Sequence, residues 1–166
     1  MKIVSFYSDV DDSNFYSDCA EKLKQKLDYL GLEYVIKNKS FGNNWIDNVR
    51  AKPLFLQEMM IELNEDFIWL DIDCSIIKKI DFTIKSNWGV LLREDGTPHD
   101  FVHYVSNTKE SKKLISKWIE QIDIDKKGSH SAFNSIVSEI NYSEIPTGYF
   151  EIGLSEVKSK QEYFKL

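Results

Sequence analysis

The chain has 166 residues, of which 42% are hydrophobic and 13% aromatic, so it can bury one substantial core and is not disordered. Its formal net charge of −6 and its scattered lysines lack the basic stripe typical of nucleic-acid binding. No apolar run approaches the roughly 18 residues of a membrane span, and the two cysteines form no disulfide framework. We therefore expect a single domain over residues 1–166 of a soluble, cytoplasmic protein with no nucleic-acid partner and no membrane span.

In the first half of the chain, apolar runs that indicate strands alternate with the apolar spacing of a helix. The predicted elements are a strand over 2–7, a helix over 14–30, a strand over 32–37, turn-forming residues over 38–49 and a helix over 53–63. Gly31 is a typical residue for the end of the first helix. Pro53 suits the first turn of the second helix.

The second half continues this alternation of strands and helices. The predicted elements are strands over 67–70, 87–93 and 101–106, a turn over 94–98, a helix that begins at 108 and a helix over 132–140. Strands interleaved with helices predict a three-layer α/β/α fold with a mixed, mainly parallel sheet. We expect an antiparallel element between residues 87 and 106, because two strands are joined there by a short turn.

The segment FIWLDIDC at residues 67–74 is the most informative part of the chain. Its continuous apolar run indicates a strand that is buried on both faces. Strand side chains alternate, so Asp71 and Asp73 are expected to point to the same side where the strand leaves the core. Two carboxylates that close repel each other unless a cation lies between them. Because carboxylate oxygens bind magnesium, calcium or manganese, the pair predicts a divalent metal site.

Two loops are expected to meet at the ligand-binding edge of the sheet, beyond the carboxyl ends of the strands. They are residues 7–13 after the first strand and residues 71–75 after the central one. A metal at the second loop beside a ligand in the first suits a nucleoside diphosphate, whose departing charge a metal neutralises. The sequence contains neither the P-loop nor the dinucleotide-binding fingerprint.

Several blocks of sequence carry a family resemblance. They are IVSFYS at 3–8, Trp45 followed by KPLFL at 52–56, FIWLDIDC at 67–74, and VSNT at 105–108 with the helix through Trp118. In this order and spacing they resemble small GT-A-type glycosyltransferases of the nucleotide-diphospho-sugar transferase superfamily, and the third block matches the DXD signature. The resemblance covers roughly residues 2–150. It implies a GT-A-like (Rossmann-like) domain, either compact or C-terminally truncated.

The resemblance also implies an activity and a donor site. The expected reaction moves a hexose from a nucleoside-diphosphate sugar, with UDP as the expected nucleotide, to a hydroxyl of a glycan, lipid or protein. Asp73 would be a direct ligand of a manganese or magnesium ion on the diphosphate. Asp71 would help to hold that metal and would contact the ribose. Whether the reaction retains or inverts the anomeric configuration stays open.

Further residues acquire roles only from the resemblance. Ser5, Phe6 and Tyr7 would line the nucleoside pocket, with the Tyr7 ring as a stacking surface for the base. Lys52 would approach the nucleotide or its phosphates from the side. For Tyr7 the alternative is packing at the edge of the core, and for Lys52 it is a solvated start of a helix.

The chain departs from the family pattern at two places. Relatives usually carry an Asp-Gln pair where this chain has His130 and Ser131. The acidic residue of relatives faces the acceptor or the reacting carbon, so His130 becomes the candidate catalytic base or a cation donor near the diphosphate. Many relatives also supply a late histidine as a third metal ligand. Here the segment after Tyr149 offers only glutamates, namely Glu151, Glu156 and Glu162.

Two alternatives to an active transferase follow. A degenerate member of the superfamily would bind a nucleotide sugar or a partner without turnover. A haloacid-dehalogenase-type phosphatase also places Asp-x-Asp after a strand, with the first Asp as nucleophile. That class carries the motif on its first strand and paired aspartates later in the chain, whereas here the motif lies at residues 71–73 and no pair of adjacent aspartates follows.

Overall fold

The computed structural model describes residues 1–9, 14–125 and 128–151, so Glu156 and Glu162 lie outside the described residues. The strands described are β1 (Lys2–Tyr7), β2 (Tyr34–Asn38), β3 (Phe67–Leu70), β4 (Ser75–Ile76), β5 (Trp88–Leu92), β6 (Pro98–Val105), β7 (Tyr142–Glu144) and β8 (Phe150–Glu151). The helices described are α1 (Phe15–Leu30), α2 (Trp45–Arg50), α3 (Lys52–Leu63), α4 (Lys109–Asp125) and α5 (Ser129–Ile136), and a 3₁₀ turn follows at Val137–Glu139. None of these helices is long and apolar enough to cross a membrane.

The main sheet has six strands in the order β2-β1-β3-β6-β5-β7. The neighbours of β1 are parallel to it, and β7 is parallel to β5. Strand β6 is antiparallel to both β3 and β5. Five of the six strands therefore share one direction, which confirms the mixed, mainly parallel sheet and the antiparallel element between residues 87 and 106. A small second sheet pairs β4 with β8.

Helices cover both faces of the sheet, as a buried central strand requires. On one face α3, α4 and α5 pack through a core that includes Phe55, Trp118 and Phe133. On the other face α1 packs through Leu23 and Leu27. All four residues of β3 are buried, and they alternate between the two cores. The three-layer α/β/α prediction is therefore confirmed.

The structure differs from the predicted elements where side chains or later contacts determine the backbone. The turn-forming segment 38–49 contains α2, because the side chain of Asn44 caps that helix by accepting the amide N–H of Asp47 at 3.0 Å. The last helix begins at Ser129 and ends at Ile136, and does not span 132–140. Strand β6 begins at Pro98, three residues before the predicted start.

Candidate functional site

A cleft of about 300 Å³ opens where β1 and β3 end. The two strands are parallel neighbours, so the loops that follow them meet at one edge of the sheet, as expected. Tyr7 and Ser8 line the cleft from the first loop, and Asp71 and Asp73 line it from the second. Residues 10–13 of the first loop lie outside the described part of the chain.

The two aspartates are presented by a turn and not by a continued strand. Strand β3 ends at Leu70, and the amide N–H of Cys74 donates to the carbonyl of Asp71 at 2.9 Å. Ile72, between the aspartates, is buried in the core on the α1 side. Both carboxylates do line the same cleft, as expected. The turn brings them together, however, and the predicted alternation of side chains along a strand does not.

Lys52 is a buried cation between two carboxylates. Its side chain projects from the first turn of α3 and is 6% exposed, so the solvated start of a helix is excluded. Its Nζ lies 2.8 Å from Oδ1 of Asp71 and 3.1 Å from Oδ2 of Asp100, and it also donates to the carbonyl of Asp100. An ammonium group has three donors. Three oxygens of the protein therefore satisfy Lys52, which disfavours the predicted direct contact with a diphosphate.

The pKa values of Asp71, Asp100 and Lys52 are shifted in different ways. Burial raises the pKa of Asp71 to about 7, because the attraction of Lys52 is offset by repulsion from Asp73 and Asp100. Burial alone would also raise the pKa of Asp100, but Lys52 and His103 hold it below its ordinary value. Although burial alone would lower it, the pKa of Lys52 is raised by its two carboxylate neighbours. The site thus contains a carboxylate, Asp71, whose negative charge Lys52 only partly balances.

Asp100 reaches the site through an irregularity in β6. Opposite β5, His103 pairs with Val90 but His99 pairs with Leu91, so residues 100–102 have no partner on β5. In a regular strand, residues three apart point to opposite faces. Here Oδ1 of Asp100 lies 3.0 Å from Nε2 of His103, because the irregularity turns the two side chains toward each other. His103 is fully buried.

Aromatic side chains form the other wall of the cleft. The indole N–H of Trp45 donates to the hydroxyl of Tyr16 at 2.8 Å, which links α2 to α1. Trp45 is 43% exposed, so its ring is accessible at the rim. The carboxylate of Asp9 accepts the amide N–H groups of Tyr16 and Ser17, at 3.0 and 3.2 Å, and so ties the loop after β1 to the start of α1. Tyr7 completes this wall.

His130 lines the cleft from the first turn of α5. Its Nε2 lies 3.0 Å from the guanidinium of Arg93 and 3.0 Å from the side-chain amide of Asn134. Arginine can only donate, so Nε2 accepts and the ring proton is on Nδ1. Burial lowers the pKa of His130. The nitrogen lone pair of this neutral histidine already accepts hydrogen bonds, so His130 is poorly placed to accept a proton from a substrate hydroxyl.

Two of the three residues predicted to line the nucleoside pocket line the cleft. Phe6 and Tyr7 line the cleft, but Ser5 is fully buried and is not among the described lining residues. Side chains alternate along β1, and Ser5 therefore points to the opposite face from Phe6. Trp45, Tyr16 and Asp100 also line the cleft, and the sequence did not predict them there. The Trp45 block was noted, but no local pattern marks the other two.

Asp71 and Asp73 are the residues that could hold a metal. Lys52 and the indole N–H of Trp69, the latter at 2.7 Å, both contact Oδ1 of Asp71. The amide N–H of Cys74 donates to the backbone carbonyl of Asp71. Among the described residues, the contacts to the Asp71 carboxylate fall on Oδ1, which leaves Oδ2 to face a ligand in the cleft. Within residues 1–9, 14–125 and 128–151, no three side chains of His, Cys, Asp or Glu form a metal-binding group. An ion held by these two aspartates would need further ligands, and substrate phosphates and water commonly supply them.

The sequence matches no protein-family model and no curated protein. The fold is similar to the crystal structure of a glycosyltransferase involved in the glycosylation of the major capsid of PBCV-1, with a TM-score of 0.67, 13% identity and full coverage of both chains. It is also similar to the glycosyltransferase GlyE of Streptococcus pneumoniae TIGR4, with a TM-score of 0.55 and 15% identity over 99% of this chain and 51% of GlyE. At these identities the likeness establishes a shared fold.

Proposed function

We propose that the chain is a metal-dependent GT-A-type glycosyltransferase, which moves a hexose from a nucleoside-diphosphate sugar to a hydroxyl of a glycan, lipid or protein. UDP is the proposed nucleotide. The observation that carries the proposal is that Asp71 and Asp73 share one cleft with the accessible aromatic wall of Trp45 and Tyr7. The shared fold with two glycosyltransferases supports it.

The donor set suits manganese or magnesium. Asp71 is a partly buried carboxylate with a raised pKa, and its ionised form would gain from a nearby cation. Its Oδ2 and the carboxylate of Asp73 supply two oxygens, and such ions are commonly bound by one or two carboxylates together with substrate phosphates. A bound ion would neutralise the charge that builds on the departing diphosphate.

The chain's own groups would orient the donor. An aromatic ring at the rim, Trp45 or Tyr7, would stack on the nucleobase, because every base has a flat face that an aromatic side chain can cover. The buried ion pairs of Lys52 hold Asp71 in place, so the metal-binding oxygens need little reorganisation on binding. Together these contacts would place the anomeric carbon near α5 and His130.

A binding protein without turnover is the second candidate, and one observation favours it. His130 stands where relatives carry an acidic residue, and its free lone pair is engaged by Arg93. The cleft carboxylates among the described residues are Asp71, Asp73 and Asp100, and Lys52 contacts two of them. An inverting reaction needs a base near the acceptor. A retaining reaction could use the leaving phosphate instead.

UDP release from UDP-glucose and UDP-galactose, with and without Mn²⁺, tests the proposal. The transferase predicts metal-dependent release that falls to the metal-free level in Asp73→Asn. The matched control is Asp123→Asn, an exposed carboxylate on α4 outside the cleft, which should keep full activity. Metal-dependent UDP binding without release supports the binding protein. Phosphate release from a simple phosphomonoester would contradict both and favour the phosphatase alternative.

A further inference from the structure

We propose that Asp100 and His103 are positioning residues for Asp71, which act on the metal site through Lys52. The inference rests on the proposed function, since it concerns the carboxylate that would hold the metal. Neither residue was assigned a part in the site by the sequence. His103 does not line the cleft, so any effect of His103 on the metal must pass through other side chains.

The hydrogen-bond chain begins in the core at Trp88. Its indole N–H donates to Nδ1 of His103 at 3.2 Å. Tryptophan can only donate, so Nδ1 must carry the lone pair and Nε2 must carry the proton. The Nε2–H group therefore donates to Oδ1 of Asp100 at 3.0 Å. Trp88 thereby fixes both the tautomer of His103 and the direction of its hydrogen bond.

Asp100 in turn fixes the position of Lys52. With Oδ1 taken by His103, Oδ2 of Asp100 lies 3.1 Å from Nζ of Lys52, and the Asp100 carbonyl accepts a second ammonium proton. The third proton is directed to Oδ1 of Asp71, 2.8 Å away. Because both Oδ atoms of Asp100 are occupied, its carboxylate has one orientation, and Lys52 is held at one place.

The position of Lys52 sets the orientation of the Asp71 carboxylate. Lys52 and the indole N–H of Trp69 both bind Oδ1 of Asp71, so that oxygen points away from a ligand and Oδ2 is presented. Second-layer hydrogen bonds of this kind set the orientation of metal ligands. The chain Trp88–His103–Asp100–Lys52 thus connects the aromatic core to the metal-binding oxygen.

Packing alone does not require a histidine at position 103. Its ring lies among Trp88, Trp118 and Phe133, with centroids 5.6, 5.4 and 4.6 Å away. A phenylalanine would suit this aromatic surrounding and would not have to be hydrogen-bonded. Burying polar groups is costly unless each has a partner, and here both ring nitrogens have one.

The experiment compares His103→Phe with the parent protein in two titrations: UDP binding as a function of Mn²⁺, and uridine binding without metal. We expect the Mn²⁺ concentration for half-maximal UDP binding to rise by up to about 10-fold, the lower end of the loss for a direct second-layer partner, because His103 acts on Asp71 through Asp100 and Lys52. Uridine affinity should stay unchanged, because the aromatic wall is untouched. His103→Gln, whose amide can donate to Asp100, should recover most of the metal response.

Tyr104→Phe is the matched control. It removes a hydroxyl that donates to Asp66 at 2.6 Å from the next residue of β6, on the opposite face of the sheet. It should change neither titration. If His103→Phe fails to fold, Trp88→Phe gives a second test, because it removes the N–H group that fixes the tautomer, together with part of the buried ring.

The outcomes separate this inference from the proposed function. If the parent protein shows no Mn²⁺-dependent UDP binding, the proposed function fails and the inference fails with it. If the parent responds to Mn²⁺ but the His103 and Trp88 variants respond equally well, only the inference is overturned. Equal losses of UDP and uridine binding would also overturn it, because they would indicate a general structural role.

Discussion

The ammonium nitrogen of Lys52 lies 2.8 Å from Oδ1 of Asp71, in a site where Lys52 is almost completely buried. In the described part of the chain, Lys52 is the one cation in contact with both Asp71 and Asp100, so its removal would leave the charge of two carboxylates uncompensated in the interior. The pair therefore couples the stability of the fold to the geometry of the cleft.

Lys52→Met should destabilise the protein by about 3–5 kcal/mol at pH 8, because the carboxylates of Asp71 and Asp100 would face each other without a cation. Urea unfolding measures this change. Lys37→Met is the control, since the ion pair of Lys37 with Glu62 is at the surface and contributes at most about 1 kcal/mol. Similar losses in the two variants would contradict the role of Lys52 as an internal counter-ion.

Asp71→Asn should become more stable than the parent protein as the pH rises. The pKa of Asp71 is raised from 3.8 to about 7 on folding, so the folded state binds the proton more tightly and the parent loses stability between those pH values. An asparagine does not ionise. The difference in unfolding free energy should grow from pH 4 to pH 7, reach at most about 4 kcal/mol and then level off. Thermal unfolding with a chelator present measures it, and a less stable Asp71→Asn at pH 8 would refute it.

Trp45→Leu should weaken uridine binding roughly 5- to 100-fold, since base–aromatic stacking contributes about 1–3 kcal/mol. Isothermal titration calorimetry measures the affinity. Tyr29→Leu removes an aromatic ring that is 82% exposed on α1 outside the cleft, and should have no effect. An unchanged affinity in Trp45→Leu would place the base elsewhere.

His130→Gln should lower metal-dependent UDP release by far less than the roughly 100-fold that the loss of a general base causes. The reason is that the lone pair of Nε2 is already engaged by Arg93. Steady-state kinetics at saturating donor provide the measurement. A loss of 100-fold or more, with an unchanged KM for the donor, would instead make His130 the base.

The sequence predicted those features of the fold and site that depend on local patterns. The continuous apolar run of β3 indicated its burial on both faces, and the order of strands and helices indicated the layers. Gly31 ends α1 with a φ of 64°, a left-handed conformation that glycine adopts without strain. The position of Asp71 and Asp73 at the ligand-binding edge followed from the same reasoning.

What the sequence did not predict depends on residues far apart in the chain. A lysine before a proline is locally typical of a solvated helix start. Lys52 is buried because Asp100, 48 residues later, meets it across the cleft. Asp100 itself lies in a polar segment after a turn, and its role depends on the pairing between β5 and β6. The sequence predicted that these two strands pair, but no periodicity shows the shift in register that leaves Asp100 without a partner on β5.

Residues 100–102 of β6, which have no partner on β5, make the site sensitive to chain length as well as to residue type. Each step along an extended chain reverses the direction of the side chain, so deletion of one residue here would turn Asp100 away from Lys52 while leaving every site residue present. Scanning by substitution would not detect this dependence. Single-residue insertions and deletions are therefore expected to be the most damaging class of mutation in this segment.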